Sequence, residues 1–131
     1  MEEPVAPTVA EPAASAHVYN DYYLDSIHFD SDVDTPKASE AAKLANFVAV
    51  AKAHPDSTFK LVGNTDSDAS NAYNEDLSKR RVLNVARYAN DNGVAASRMQ
   101  LNYKGENNPV SSNATEAGKA DNRRVDIWEH K

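Results

Sequence analysis

Two long stretches with apolar residues at helical spacing, each set between short strand-like segments, constrain the fold of this 131-residue chain most strongly. In residues 41–51, apolar residues recur every three or four positions, which is the spacing of one helix face. The second stretch runs from about 71 to 90 and is followed by Asp91-Asn92-Gly93, a typical helix stop. The chain is therefore expected to form two amphipathic helices.

Four short segments around these helices are predicted to be strands, at residues 22–29, 58–62, 99–104 and 123–129. Thr35-Pro36 predicts the start of the first helix, since Thr is a good N-cap and Pro is favoured at the first helical position. Residues near 115–120 add one further helical turn. The order β-α-β-α-β-(α)-β predicts an α+β two-layer sandwich, with the helices packed on a small mixed four-stranded sheet.

The beginning of the chain has a different composition from the remainder. Its first sixteen residues contain three Pro and five Ala, with no aromatic residue and no Lys or Arg. Such a segment cannot bury enough apolar surface to order itself. We therefore expect a disordered Pro/Ala-rich linker over residues 1–18, belonging to a longer protein, and one domain over residues 19–131.

The composition argues against several functions. A net charge of −6 disfavours a nucleic-acid partner, which needs a basic face to displace counterions. No apolar run approaches the roughly 18–20 residues of a membrane span, so the domain is not expected to cross a membrane. The chain has no Cys, and its four His residues have no ligand spacing. No metal and no other cofactor is expected.

The acidic clusters at residues 30–34 and 66–68 look like the openings of calcium loops. Both lack the Gly and the Glu that an EF-hand needs later in the loop, and we interpret them as carboxylates that cap turns. No nucleophile elbow and no phosphate-cradling loop is present. Glycan hydrolysis would need a pair of catalytic carboxylates. The candidates for such a pair are Asp66, Glu75 and Asp76. Nothing in the spacing of these three residues places them together, so no catalytic residue and no enzyme is predicted.

The strongest candidate site lies between residues 63 and 81. Asp66 stands in the turn before the second helix, and Asn74, Leu77 and Arg81 fall on one face of that helix. An acid at the helix entrance and an Arg two turns along suit a zwitterion, whose ammonium would meet Asp66 while Arg81 forks onto its carboxylate. The same spacing fits an Asp in the N-cap region and a surface Arg in a salt bridge. The residues by themselves leave both interpretations open.

Arg123 and Arg124 form a second basic feature, at the start of the last predicted strand. Because consecutive strand residues point to opposite faces, one of them would meet solvent or a ligand while the other packs near a helix. Polar protection of a sheet edge is the alternative explanation.

Four motifs together resemble the OmpA-like peptidoglycan-binding domain, found in outer-membrane porin tails, the Pal lipoprotein and flagellar stator proteins. The family pattern G-H-T-D appears as G-N-T-D at 63–66, and N-x-x-L-S-x-x-R-A appears with a final Val at 74–82. G-E-x-x-P occurs at 105–109 and G-x-A-x-N-R-R-V at 118–125. The motifs keep the family's order and spacing over roughly residues 22–129 of this chain.

The resemblance implies binding of the peptidoglycan stem peptide through diaminopimelate, whose far end carries an ammonium and a carboxylate. Asp66 and Arg81 would be the principal contacts. The other implied site residues are Thr65, Asn74, Leu77 and Arg123. The implied role is a non-catalytic tether for an outer-membrane or periplasmic protein, in the periplasm of a Gram-negative bacterium and facing its cell wall.

Three positions depart from the family pattern. Asn64 replaces the usual His, Ala69 stands where a turn Gly is common, and Val82 replaces a small Ala. These departures support the alternative function, a protein-interaction module that keeps the fold with weakened or lost wall binding.

Overall fold

A computed structural model describes residues 21–131, so the predicted linker over 1–18 and the predicted domain start at residue 19 lie outside the described residues. The strands are β1 (Asp21–His28), β2 (Thr58–Gly63), β3 (Met99–Tyr103) and β4 (Arg124–His130). The helices are α1 (Ala41–Ala53), α2 (Asn71–Asp91) and α3 (Glu116–Asn122), with 3-10 turns at Ala38–Glu40 and Ala96–Arg98. The predicted order of elements is confirmed.

The four strands form one mixed sheet in the order β1-β4-β2-β3. β2 and β3 are parallel and joined through α2, as a parallel pair requires. β4 is antiparallel to both β1 and β2. Because β4 is an interior strand, the alternative in which Arg123 and Arg124 protect a sheet edge is wrong.

The hydrophobic core lies between one face of the sheet and the helices α1 and α2. At its centre Phe47 of α1 meets Phe59 of β2 edge to face, with ring centroids 5.2 Å apart. The sheet adds the buried side chains of Ile27, Leu61, Leu101, Val125 and Ile127, and the helices add those of Leu44, Val48, Val82, Val85 and Ala89. No helix within residues 21–131 has the length and apolar character needed to cross a bilayer.

The first helix begins later than predicted. Pro36 forms an isolated antiparallel bridge with Phe29, and the backbone N–H of Lys37 donates to the carbonyl of His28 at 3.1 Å. This extended pairing next to β1 postpones the helix to Ala41, after a 3-10 turn. The prediction of Thr35 as the N-cap is wrong, because a tertiary contact overrides the local helix-start signal.

Helix α2 passes directly over the end of β2. A Cβ atom added at Gly63 would lie 2.1 Å from the carbonyl oxygen of Ser78, so only glycine permits this approach. The contact brings the turn after β2 against the face of α2 that carries the predicted site residues.

Replacing Gly63 with Ala is expected to lower the free energy of unfolding by about 1–3 kcal/mol, because α2 must move away from β2. Urea denaturation followed by circular dichroism measures the change. Thr58→Ala, at an exposed position of the same strand, is the control and should stay within about 0.5 kcal/mol of the wild type. Equal stabilities of Gly63→Ala and wild type would show that the helix is free to shift.

Candidate ligand-binding site

The turn after β2 is held by backbone hydrogen bonds on both sides. The N–H of Asn64 donates to a β4 carbonyl, and that of Thr65 donates to the loop after β3, both at 2.8 Å. The hydroxyl of Thr65 donates to the carbonyl of Asp66 at 2.8 Å. The Asp66 carboxylate accepts the N–H of Asp68 at 3.0 Å, which forms an Asx turn. Asp66 is therefore held in a fixed position just beyond the end of β2.

Helix α2 is capped by Ser70, whose hydroxyl accepts the N–H of Tyr73 at 3.1 Å. The interpretation of Asp66 as a simple helix cap is therefore not supported. Within the first turn of α2, the side-chain amide of Asn74 donates to the carboxylate of Glu106 at 2.8 Å. This bond attaches the start of α2 to the loop after β3.

Arg81 is completely buried and contacts three backbone carbonyls. Its Nε donates to Val33 at 2.9 Å, its Nη1 to Asn64 at 3.0 Å and its Nη2 to Asp30 at 3.0 Å. The guanidinium also lies 5.0 Å from the centroid of the Phe29 ring, a cation–π distance. Arg81 thus joins α2 to the turn after β2 and to the loop after β1.

The charge of Arg81 has no direct carboxylate partner among residues 21–131. In this part of the structure the neighbouring arginines Arg80, Arg123 and Arg124 do form ion pairs. Burial lowers the pKa of Arg81 to about 10, although the nearby Asp66 carboxylate acts in the opposite direction. The guanidinium stays protonated at neutral pH, and the interpretation of Arg81 as a surface residue in a salt bridge is not supported.

Arg123 and Arg124 serve different parts of the fold. Nη1 of Arg123 lies 3.1 Å from Oδ2 of Asp66, and its Nε donates to the carbonyl of Phe29 at 3.1 Å. Nε of Arg124 donates to both carboxylate oxygens of Asp126, at 3.0 Å each. Only Arg123 therefore reaches the predicted site.

An open cleft of about 550 Å³ lies between the start of α2 and the loop after β1. Three predicted site residues line it, namely Asp66, Asn74 and Leu77. The other lining residues are Ser31, Asp32, Asp68, Ala69, Ser70 and Tyr73. Thr65, Arg81 and Arg123 do not line the cleft but contact the turn that carries Asp66.

The loop after β1 also forms a wall of this cleft, which the sequence patterns did not predict. Asp32 has a left-handed backbone with φ of 60°, and its carboxylate accepts a hydrogen bond from the hydroxyl of Tyr73. Asp34 pairs with Arg80 at 2.8 Å. The alternating Asp residues at 30–34 were the available signal, but their position against α2 depends on the tertiary fold. Within residues 21–131 no cluster of side chains is suited to a metal ion.

Residues 28–123 match the model of the OmpA family. The chain belongs to the OmpA family. Members of this family are non-catalytic domains, which agrees with the prediction that this chain is not an enzyme.

Named relatives and a solved structure agree with the family match. The chain is 39% identical over 116 residues to outer membrane protein A of Bordetella avium, covering 88% of this chain and 58% of that protein. It is 42% identical over 76 residues to the peptidoglycan-binding protein ArfA of Mycobacterium tuberculosis, covering 58% of this chain and 23% of that protein. The peptidoglycan-associated lipoprotein of Burkholderia pseudomallei has a similar structure, with a TM-score of 0.76, 30% identity, and coverage of 80% of this chain and 89% of that one. The chain thus spans only part of the length of its two sequence relatives.

Arg81→Ala is expected to lower the free energy of unfolding by about 2–4 kcal/mol, because it leaves three inward-facing carbonyls without donors and opens a cavity. Urea denaturation gives the difference. Arg87→Ala, at an exposed position of the same helix, is the matched control, with an expected change within about 0.5 kcal/mol. If the two variants unfold at the same urea concentration, Arg81 does not hold the loop after β1 in place.

Proposed function

We propose that this chain binds peptidoglycan non-covalently through the diaminopimelate of the peptide stem, and so tethers an outer-membrane or periplasmic protein to the cell wall. The observation that carries this proposal is the buried guanidinium of Arg81. It lacks a carboxylate partner within residues 21–131 and lies against the turn that brings Asp66 into the cleft.

Arg81 retains hydrogen-bonding capacity for an anion. A guanidinium has five N–H donors and three of them bind carbonyls here, which leaves two. Carbonyls do not neutralise the buried charge, whereas a ligand carboxylate would supply the missing negative charge. Binding of a carboxylate would also raise the pKa of Arg81 towards its ordinary range, since the lowering is caused first by burial.

The remainder of the site suits the other parts of diaminopimelate. Asp66 lines the cleft, and its carboxylate pairs with Arg123, so we assign the ligand ammonium to this carboxylate. Arg123 pairs with Asp66 and has 13% of its side chain exposed, and we assign a second ligand carboxylate to it. Leu77 gives the apolar surface on which the methylene chain between the two charged ends would pack.

This arrangement favours diaminopimelate over lysine. A lysine side chain has the ammonium but no distal carboxylate, so it would leave the charge of Arg81 without an anionic partner. Stem peptides that contain lysine are therefore expected to bind more weakly.

The relatives support the same function and location. ArfA is named as a peptidoglycan-binding protein, and the Burkholderia structure is that of a peptidoglycan-associated lipoprotein. The Bordetella relative is an outer membrane protein. We therefore place this domain in the periplasm, facing the cell wall, within an outer-membrane or envelope protein.

Asp66→Asn tests the proposal, because it removes one charge while keeping the size of the side chain. We expect the wild type to bind a soluble stem tripeptide ending in diaminopimelate with micromolar to millimolar affinity, and the variant to bind about tenfold more weakly. Isothermal titration calorimetry gives both affinities. Asp56→Asn, the same change at an exposed turn residue away from the cleft, should bind as the wild type does.

A second measurement locates the ligand. Titration of isotopically labelled domain with the same tripeptide should shift the amide signals of Thr65, Asp66 and Arg81. A pull-down with intact cell-wall sacculi tests wall binding directly. If the sacculi do not retain the domain and these amide signals do not move, the proposal of wall binding is wrong and the protein-interaction alternative is favoured.

A further inference from the structure

One row of side chains crosses the sheet on the face opposite the helices. Tyr23 of β1 is the register partner of Trp128 in β4, Trp128 is that of Lys60 in β2, and Lys60 is that of Gln100 in β3. Core residues lie next to Lys60, Gln100 and Trp128 along their strands, so these three side chains point away from α1 and α2. We call these four residues the outer row.

Two aromatic rings form one end of the outer row. Tyr23 is 54% exposed, and its ring meets that of Trp128 edge to face, with centroids 5.3 Å apart. The Tyr23 hydroxyl lies 2.5 Å from Oγ of Ser26, which itself donates to Asp126 at 2.6 Å. Because Ser26 has one hydroxyl hydrogen, Tyr23 is the donor to Ser26. The tyrosine ring is therefore held in a fixed position with apolar surface open to solvent.

The charges around the two rings are balanced locally. Nζ of Lys60 lies 3.4 Å from the carboxylate of Asp21, which also accepts Nδ1 of His130 at 2.6 Å. In the neighbouring row, Asp126 pairs with Arg124 at 3.0 Å. The chain has a net charge of −6, so this locally neutral surface differs from the molecule as a whole. Since it offers no net charge to attract an ion, it suits an uncharged ligand.

Uncharged hydrogen-bonding groups lie beside the rings. Gln100 and Thr58 are exposed, and Trp128 is half-buried. Together they offer an amide, a hydroxyl and an indole N–H. Sugars have apolar C–H faces that pack on aromatic rings, and hydroxyl groups that bind uncharged donors and acceptors. The outer row therefore has the composition of a carbohydrate-binding surface.

We infer that the outer row binds an uncharged glycan strand. A sugar ring packs on Tyr23 and Trp128, and its hydroxyl or acetamido groups form hydrogen bonds with Gln100. Under the proposed function, the ligand is the glycan of the same polymer whose peptide stem enters the cleft. No residue of the outer row lines that cleft, so each surface can be tested while the other stays intact.

Trp128 is the single Trp of the chain, so its indole N–H signal and its fluorescence report directly on the outer row. We expect the soluble, uncharged tetramer of N-acetylglucosamine to shift the indole signal of the wild-type chain, with a Kd of the order of 1 mM. Tyr23→Ser should weaken this binding about fivefold or more, because the sugar loses one of its two aromatic contacts.

Tyr22→Ser is the matched control. It removes an equally exposed tyrosine, at 56%, from the adjacent position, which points to the opposite face of the strand. This variant should bind the tetramer as the wild type does, and so should Asp66→Asn, which alters the cleft. Tyr23→Ser should in turn keep the wild-type affinity for the stem tripeptide, which shows that its fold is intact.

The outcomes separate the two proposals. If the tetramer does not move the indole signal, or if Tyr23→Ser binds it as tightly as the wild type, the glycan assignment is overturned, whatever the stem tripeptide does. If the indole signal moves with protein concentration in the absence of sugar, the outer row pairs with a second copy of the chain, and the assignment is again overturned. Loss of tripeptide binding alone overturns the proposed function and leaves the glycan surface supported.

Discussion

The hydrogen bonds from Arg81 to three backbone carbonyls are the interaction on which the site depends. They join the loop after β1 and the turn after β2 to the same side chain of α2. Carbonyl oxygens stabilise a buried cation by solvating it, but they leave its net charge in place. The same contacts therefore do two things: they assemble the walls of the cleft, and they leave the buried positive charge without a carboxylate partner among residues 21–131, which is the charge that the proposed function assigns to an anionic ligand.

The sheet order explains why these walls meet. β4 lies between β1 and β2 and runs opposite to both, so its start adjoins the ends of the other two strands. That placement brings Arg123, just before β4, to the Asp66 carboxylate. The close approach of α2 at Gly63 completes the edge of the cleft. The position of the candidate site at one end of this sheet is thus a consequence of strand order and of the absence of a side chain at Gly63.

Predictions from local pattern succeeded where the pattern was long. The helical spacing of Asn74, Leu77 and Arg81 predicted one shared face, and all three side chains are buried there. The start of α1 was predicted wrongly, because Pro36 pairs with Phe29 beside the end of β1. A capping signal of two residues carries a small free-energy preference, which an added strand-like contact easily exceeds.

The sequence by itself determined the order of strands and helices, the residue types on the inner face of α2, and the four motifs of the OmpA family. Only the tertiary structure decided that Arg81 binds carbonyls rather than a surface carboxylate, and that Asp32 joins the cleft. The reason is distance along the chain. Arg81 meets partners 48 and 51 residues away, whereas helical periodicity and capping act between residues a few positions apart.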